Sequence, residues 1–156
     1  MTLSPKIKYA GGIGAVCLSL ICGIVYKFEG TEQVGYLDPV AIPTICRGHT
    51  GPEVKVGDYY TMEKCDEITK QDIIIANTDL HKLTDTKMSP GQEAAFTSFI
   101  YNTGSNNFRN STMRKKLNAG DVIGACHELS KWIYAKGQLL RGLVRRRAEE
   151  LSICLG

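Results

Sequence analysis

EGTEQVGYLDPVAIPTICRGHTG, residues 29–51, is the most informative stretch of this chain. Two short β-type runs, 34–37 and 43–46, flank the turn signal Asp38-Pro39, and Gly48 follows the second. That composition suits an antiparallel pair joined by tight turns. A third alternating run, Glu53-Val54-Lys55-Val56, ends on Gly57-Asp58 and reads as a further strand.

Beyond this small sheet the pattern turns helical. Thr61 is placed to cap a helix whose first turns carry Glu63, Asp66 and Glu67 and which runs toward Leu83. Ser89-Pro90-Gly91-Gln92 is a helix start, with an N-cap Ser, Pro at the first position and a Gln to close a capping box. That helix is expected to end near Gly104. Gly120 closes a short helix over 113–117, and Asp121 caps another that puts Val122, Cys126, Leu129 and Ile133 on one face. A last helix is expected over about 139–154. A small antiparallel sheet followed by about five helices makes an α+β domain.

The 156 residues suit one globular domain plus a short appendage. With 43% apolar and 22% charged residues, disorder is excluded. The net charge of +3 is mild and the basic residues form no long patch, which argues against nucleic acid as a partner. The dense run Arg145-Arg146-Arg147 is followed by Glu149 and Glu150, so a helix face with internal charge pairing is the first reading and a glycan or phosphate contact the second.

Residues 1–26 read separately from 27–156. Lys6 and Lys8 precede an uncharged run, 9–26, of 18 residues. As a helix it spans about 27 Å, just short of a hydrocarbon core of roughly 30 Å. Its seven strongly apolar residues are diluted by Gly11, Gly12, Gly14 and Gly23. The insertion gain, about −3 kcal/mol before the polar residues erode it, is near break-even. A cleaved signal peptide lacks a small-residue cleavage site here. A permanent anchor fits the length but not the weak hydrophobicity. A segment that inserts, delivers the domain and later leaves the bilayer fits both. A buried core helix is the fourth reading, opposed by four glycines. The two lysines place the N-terminus in the cytoplasm and the domain outside.

Hydrolysing a glycosidic bond needs a protonated acid for the leaving oxygen and an ionised carboxylate on the opposite face of the sugar. Glu29 and Asp38 can supply the pair: Phe28 is an apolar neighbour of the kind that favours a protonated carboxyl, and Asp38 lies in a Gly/Pro-rich turn open to solvent. Thr44 brings a hydroxyl able to orient water. On spacing alone, a solvated Glu and a turn-forming Asp explain the same residues, because the chain has 16 acidic residues. Tyr36 and His49 also have structural readings, a His in a G-H-T-G turn typically satisfying a buried carboxylate or carbonyl.

Together, Glu29-Gly30, Tyr36-Leu37-Asp38-Pro39 and Pro43-Thr44-Ile45-Cys46-Arg47-Gly48-His49-Thr50-Gly51 resemble the signature of the phage-type lysozymes, glycoside hydrolase family 24. The spacing Glu, eight residues, Asp, five residues, Thr is matched at 29, 38 and 44. Phe99-Ile100-Tyr101-Asn102-Thr103-Gly104 and 108–118 resemble that family's F-x-x-N-x-G and F-x-x-S-T-L-L-R-K-L-N segments, and Trp132 and Gly142-Leu143 fit its C-terminal helices. The resemblance implies a lysozyme-like fold, with a sheet lobe and a helical lobe flanking a cleft. It implies hydrolysis of the β-1,4 bond between N-acetylmuramic acid and N-acetylglucosamine in peptidoglycan, without metal or cofactor, by a protein expected to be monomeric. Carried over by position, Glu29 is the general acid, Asp38 the base that holds the water, and Thr44 its helper. Tyr36, His49 and Asn102 are candidate substrate contacts. A base role for Asp38 implies inversion and carboxyl groups about 6.5–9.5 Å apart. Cys46-Arg47 departs from the family, where small residues are usual.

The N-terminal run resembles the signal-anchor-release elements of some phage endolysins, which host secretion machinery exports and which wait, tethered in the inner membrane, before release into the periplasm. Glu29 lies three residues after Tyr26, so a membrane-embedded 9–26 would hold it away from Asp38. Six cysteines favour an oxidising compartment and allow 15 pairings. Cys46–Cys65 and Cys126–Cys154 are the expected bridges, with Cys17 and Cys22 left as thiols that act either as an exchange switch after release or as small apolar fillers. A membrane-tethered, non-catalytic peptidoglycan-binding or lysis-accessory module is the alternative function. A pore-forming holin would leave the globular pattern unexplained.

Overall fold

The computed structural model describes residues 12–156; the first part of the expected 1–26 membrane and release segment, with Lys6 and Lys8, lies outside them. Helix α1 (Ala15–Phe28) opens the fold. Its N-cap is Gly14, so Gly12 and Gly14 precede the helix and Gly23 alone interrupts it. Cys17, Ile21, Ile24 and Val25 are buried on one face, at the spacing of an amphipathic helix. That face packs with Ile73 and Ala94 of the domain, so α1 crosses the 26/27 boundary as part of the folded body. No helix among the described residues is long and apolar enough to cross a membrane.

Strands β1 (Glu32–Leu37), β2 (Pro43–Cys46) and β3 (His49–Thr50) form an antiparallel sheet in that order. Leu37 pairs Pro43, Tyr36 pairs Thr44, and Thr44 pairs Thr50. The strand expected at 53–56 is not formed. Those residues turn instead, and the chain meets β1 later: Gly57 and Asp58 bond the backbone of Gly35 at 2.9 and 2.8 Å, and Tyr60 bonds Gln33 at 2.8 Å. Gly35 is required there, since a Cβ would stand 2.2 Å from the Lys55 carbonyl oxygen. The alternation of Val54 and Val56 reflects a single plug: Val54 is buried and Val56 exposed.

Helix α2 (Met62–Leu83) starts at Thr61, whose side chain accepts from the Lys64 amide, as expected. Helix α3 (Pro90–Thr103) starts with the full capping box of Ser89 and Gln92 and stops at Gly104, φ +90°. Residues 94–100 of α3 are all buried, which makes it the central helix. Around it stand α4 (Ser105–Arg109), α5 (Thr112–Asn118), α6 (Val122–Glu128) and α7 (Arg141–Leu155). Phe96, Phe99, Phe108, Met113, Leu117 and Leu129 fill the space between them. The helix expected to reach Ile133 ends at Glu128 and passes into a single 3-10 turn. A hairpin of β4 (Tyr134–Ala135) and β5 (Gln138–Leu139) then precedes α7, with Lys136 and Gly137 both at positive φ. That two-residue turn is the kind Gly-containing hairpins select, and it shortens the last helix at its start.

The bridges Cys46–Cys65 and Cys126–Cys154 are both formed, the first pinning β2 to α2 and the second α6 to α7. Cys17 and Cys22 are free.

Candidate active site

Glu29 is the C-cap of α1, and its amide bonds the Val25 carbonyl at 3.0 Å. Gly30, φ +64°, then turns the chain out of the helix toward β1. The side chain of Glu29 is 18% exposed. Its partner is not Phe28 but Arg146 of α7, whose Nη1 donates to Oε1 at 2.5 Å. The other oxygen, Oε2, lies against Gly48: a Cβ on that glycine would stand 3.2 Å from it.

Arg146 belongs to a buried network. Its Nε donates to Oε1 of Glu150 at 3.2 Å and its Nη2 to the Ser98 carbonyl at 3.3 Å. Arg147 donates to Oε2 of Glu150 at 2.5 Å, to the Trp132 carbonyl at 3.0 Å and to Asn102, and it lies over the Phe99 ring. The charge pairing read from the Arg-Arg-x-x-Glu spacing is present, but inside the protein: Glu150 is fully buried. Burial pushes the Arg147 guanidinium below its usual range, against the pull of Glu150. Asn102, a candidate substrate contact, is therefore an acceptor for Arg147.

Asp38 closes the turn between β1 and β2. Its Oδ1 accepts from the amides of Val40 and Ile42, both at 2.9 Å. Thr44, on β2, is buried and donates to the Ile42 carbonyl at 2.9 Å. Tyr36 is cross-strand from Thr44; burial raises its phenol, and the charges of Glu32, Asp38 and Glu29 raise it further.

Next to this group is a cavity of about 220 Å³ between the sheet lobe and the helices, lined by Gly48, His49, Asp72, Ile75, Tyr101 and Ser105 among others. Gly48, one of its lining residues, is the glycine beside Glu29 Oε2. His49 is clamped, Nδ1 to Asp72 and Nε2 to Glu53, each at 2.7 Å. Burial lowers its pKa, but the hydrogen bonds and charges of the two carboxylates outweigh this and raise it overall. Tyr101 lines the cavity and donates to the Arg47 carbonyl at 2.6 Å. Among the described residues, no three His, Cys, Asp or Glu are grouped to hold a metal. Sequence reasoning named Glu150 as a charge partner, from its i+3 and i+4 spacing to Arg147 and Arg146, but not its burial. It gave Arg47, Asp72 and Tyr101 no role in the site.

A family model described as phage lysozyme matches residues 26–150. The chain belongs to the phage lysozyme family. Along its length it is 34% identical to the SAR-endolysin of Bacteriophage PS119, over 99% of this chain and 98% of that one. The muramidase domain of SpmX from Asticaccaulis excentricus superposes with a TM-score of 0.80 at 29% identity, covering 93% of this chain and 98% of its own. The active form of P1 phage endolysin Lyz shares the fold, with a TM-score of 0.81 at 21% identity, 98% of this chain and 94% of that one being covered. This phage lysozyme is a glycosidase of the muramidase type, acting on peptidoglycan, with a lysozyme-like fold.

Proposed function

We propose that this phage lysozyme hydrolyses the β-1,4 bond between N-acetylmuramic acid and N-acetylglucosamine, with Glu29 as general acid and Asp38 as general base. The reading rests on one observation: Glu29 is gripped at Oε1 by a buried arginine while Oε2 turns to Gly48 on the rim of the interlobe cavity. Oε2 is then the atom that gives its proton to the leaving oxygen. Asp38, its Oδ1 occupied by two loop amides, accepts the proton of the attacking water at its other oxygen, with Thr44 supporting the loop through the Ile42 carbonyl. The water arrives on the far face of the sugar and the anomeric centre inverts.

The delivery route is part of the proposal. Residues 1–26 are the membrane and release segment and 27–156 the catalytic domain; the N-terminus stays in the host cytoplasm while residues 9–26 are in the inner membrane. Host secretion machinery exports the chain, which is inactive while tethered and active once released into the periplasm as a monomer. Support comes from the name SAR-endolysin carried by relatives that match nearly the whole chain, and from Glu29 itself, which can take its place beside Arg146 only when α1 has docked on α3.

The test is release of reducing ends from purified peptidoglycan by the released protein and by its Glu29→Gln variant, with the anomer formed read by NMR. Loss of activity in the folded variant and an inverted product are expected. Full activity in Glu29→Gln, or retention of configuration, overturns the assignment, and a membrane-tethered form as active as the released one overturns the inactive tether.

A further inference from the structure

Arg47 is a charged residue only 3% exposed, and burying a guanidinium is costly unless its surroundings compensate. Its Nη1 pairs with Oδ1 of Asp66 at 2.9 Å and donates to Oγ1 of Thr69 at 3.1 Å. Its Nε is buried with no hydrogen-bond partner among the described residues. The remaining compensation comes from α1: the guanidinium carbon lies 3.8 Å from the centroid of the Tyr26 ring. The Tyr26 hydroxyl donates at 3.1 Å to the same Asp66 oxygen that Arg47 uses. Three groups, from the turn between β2 and β3, from α2 and from α1, therefore close on one another.

Two further relations give this triangle a purpose. Arg47 and Asp66 each directly follow one cysteine of the Cys46–Cys65 bridge, so the bridge ties together the two halves that receive Tyr26. Tyr26 lies one helical turn before Glu29, and Arg47 precedes Gly48, the glycine against Glu29 Oε2. On the opposite side, Lys27 pairs with Glu149 and Glu29 with Arg146, both on α7. The last turn of α1 is thus held from two directions.

We propose that Arg47 and Asp66 form a latch that captures Tyr26 and so sets the position of Glu29, Arg47 being a positioning residue for the acid. This rests on the reading of Glu29 given above. The bridged cysteines keep the latch assembled whether or not α1 occupies it. The ring is what completes it, because Asp66 and Thr69 cover only one edge of the guanidinium.

The latch is tested on the full released chain by amide hydrogen exchange together with steady-state kinetics on soluble peptidoglycan fragments. Arg47→Leu and Tyr26→Leu are compared with Tyr26→Phe, which keeps the ring. Both Leu variants are expected to speed exchange of the Glu29 amide and to lower kcat by about tenfold or more, the cost of misplacing a reacting group. KM stays within about twofold and Tyr26→Phe retains most of kcat. The Arg47→Leu, Tyr26→Leu double variant is no worse than either single one. If Arg47→Leu fails to fold, Tyr26→Leu decides alone, since that residue is already 40% exposed. Unchanged exchange at Glu29 in the Leu variants overturns the latch whatever the activity. Faster exchange with undiminished kcat overturns the positioning role when Glu29→Gln is inactive. If Glu29→Gln is itself active, it is the acid assignment that has failed, and the exchange result alone judges the latch.

Discussion

Arg146 and Glu29 stand 117 residues apart in the chain and meet at 2.5 Å. One guanidinium thereby joins the end of the first helix to Glu150 and Ser98 in the middle of the helical lobe. Replacing Arg146 by Lys keeps the charge but loses the fork that serves these partners at once. Arg146→Lys is expected to lower kcat by about tenfold or more, as a displaced acid would. Kinetics on peptidoglycan check this, and a kcat equal to wild type would show that charge alone suffices.

His49 gives the fold a pH dependence. Its pKa is raised in the folded state by Glu53 and Asp72 despite burial. Asp72 is raised too: its own burial is the larger influence, and the hydrogen bond from His49 opposes it. Asp72 starts from the ordinary carboxylate range, so His49 governs the window near neutrality. A raised histidine contributes stability that is fully present below its unfolded pKa of about 6.5 and is lost as pH rises through the folded value. The stability difference between wild type and His49→Asn should therefore be largest below that point and shrink on the alkaline side. Urea titrations across this range measure it, and a difference that grows with pH would contradict the pairing.

The second bridge is a stability device. Cys126–Cys154 closes a separation of 28 residues, and neither cysteine lines the interlobe cavity. Loop-closure entropy for that length is about 3.5 kcal/mol. A Cys126→Ala, Cys154→Ala variant should lose about that much by urea denaturation while keeping kcat in the folded state. A loss of activity without a loss of stability would assign the bridge another role.

The two thiols are poor nucleophiles in this fold. Burial, helped by Glu93, pushes the Cys17 thiol up to about 12, and burial also raises Cys22, against the pull of Lys70 and Arg47. At about pH 8 a thiol reagent should label Cys22 slowly and Cys17 more slowly still, with both labelled at once in urea. The Cys17→Ser, Cys22→Ser variant of the released protein should keep its activity. Fast native labelling, or an inactive double variant with a normal fold, would restore the exchange switch.

The legible parts of this protein were those written in local chemistry. Thr61, Ser89 and Gly104 mark helix ends because capping depends on neighbours along the chain. Asp38 and Thr44 were singled out by the resemblance to the phage-type lysozymes and not by spacing alone; they lie in the turn after β1 and on β2. The bond between Arg146 and Glu29 was invisible, because charge pairing at i+3 and i+4 looks the same on a solvated face as in a core. Val54 and Val56 misled for a related reason: alternation records which side chains are buried, whereas a strand also needs a partner backbone, and Gly35 bonds residues 57 and 58 instead. The first helix was expected only as a weak membrane segment. That its apolar stripe also fits the domain depends on Ile73 and Ala94, far along the chain.

Under the proposed delivery route, helix α1 has to suit two solvents with one set of side chains. Cys17, Ile21, Ile24 and Val25 are committed to the core of the enzyme, whereas Val16, Ser19 and Gly23 face outward there. Under the proposed delivery route, the inward stripe is answerable to catalysis and only the outward one is free to vary. The timing of lysis can then evolve through a few outward positions, as a clock whose setting screw is separate from its spring.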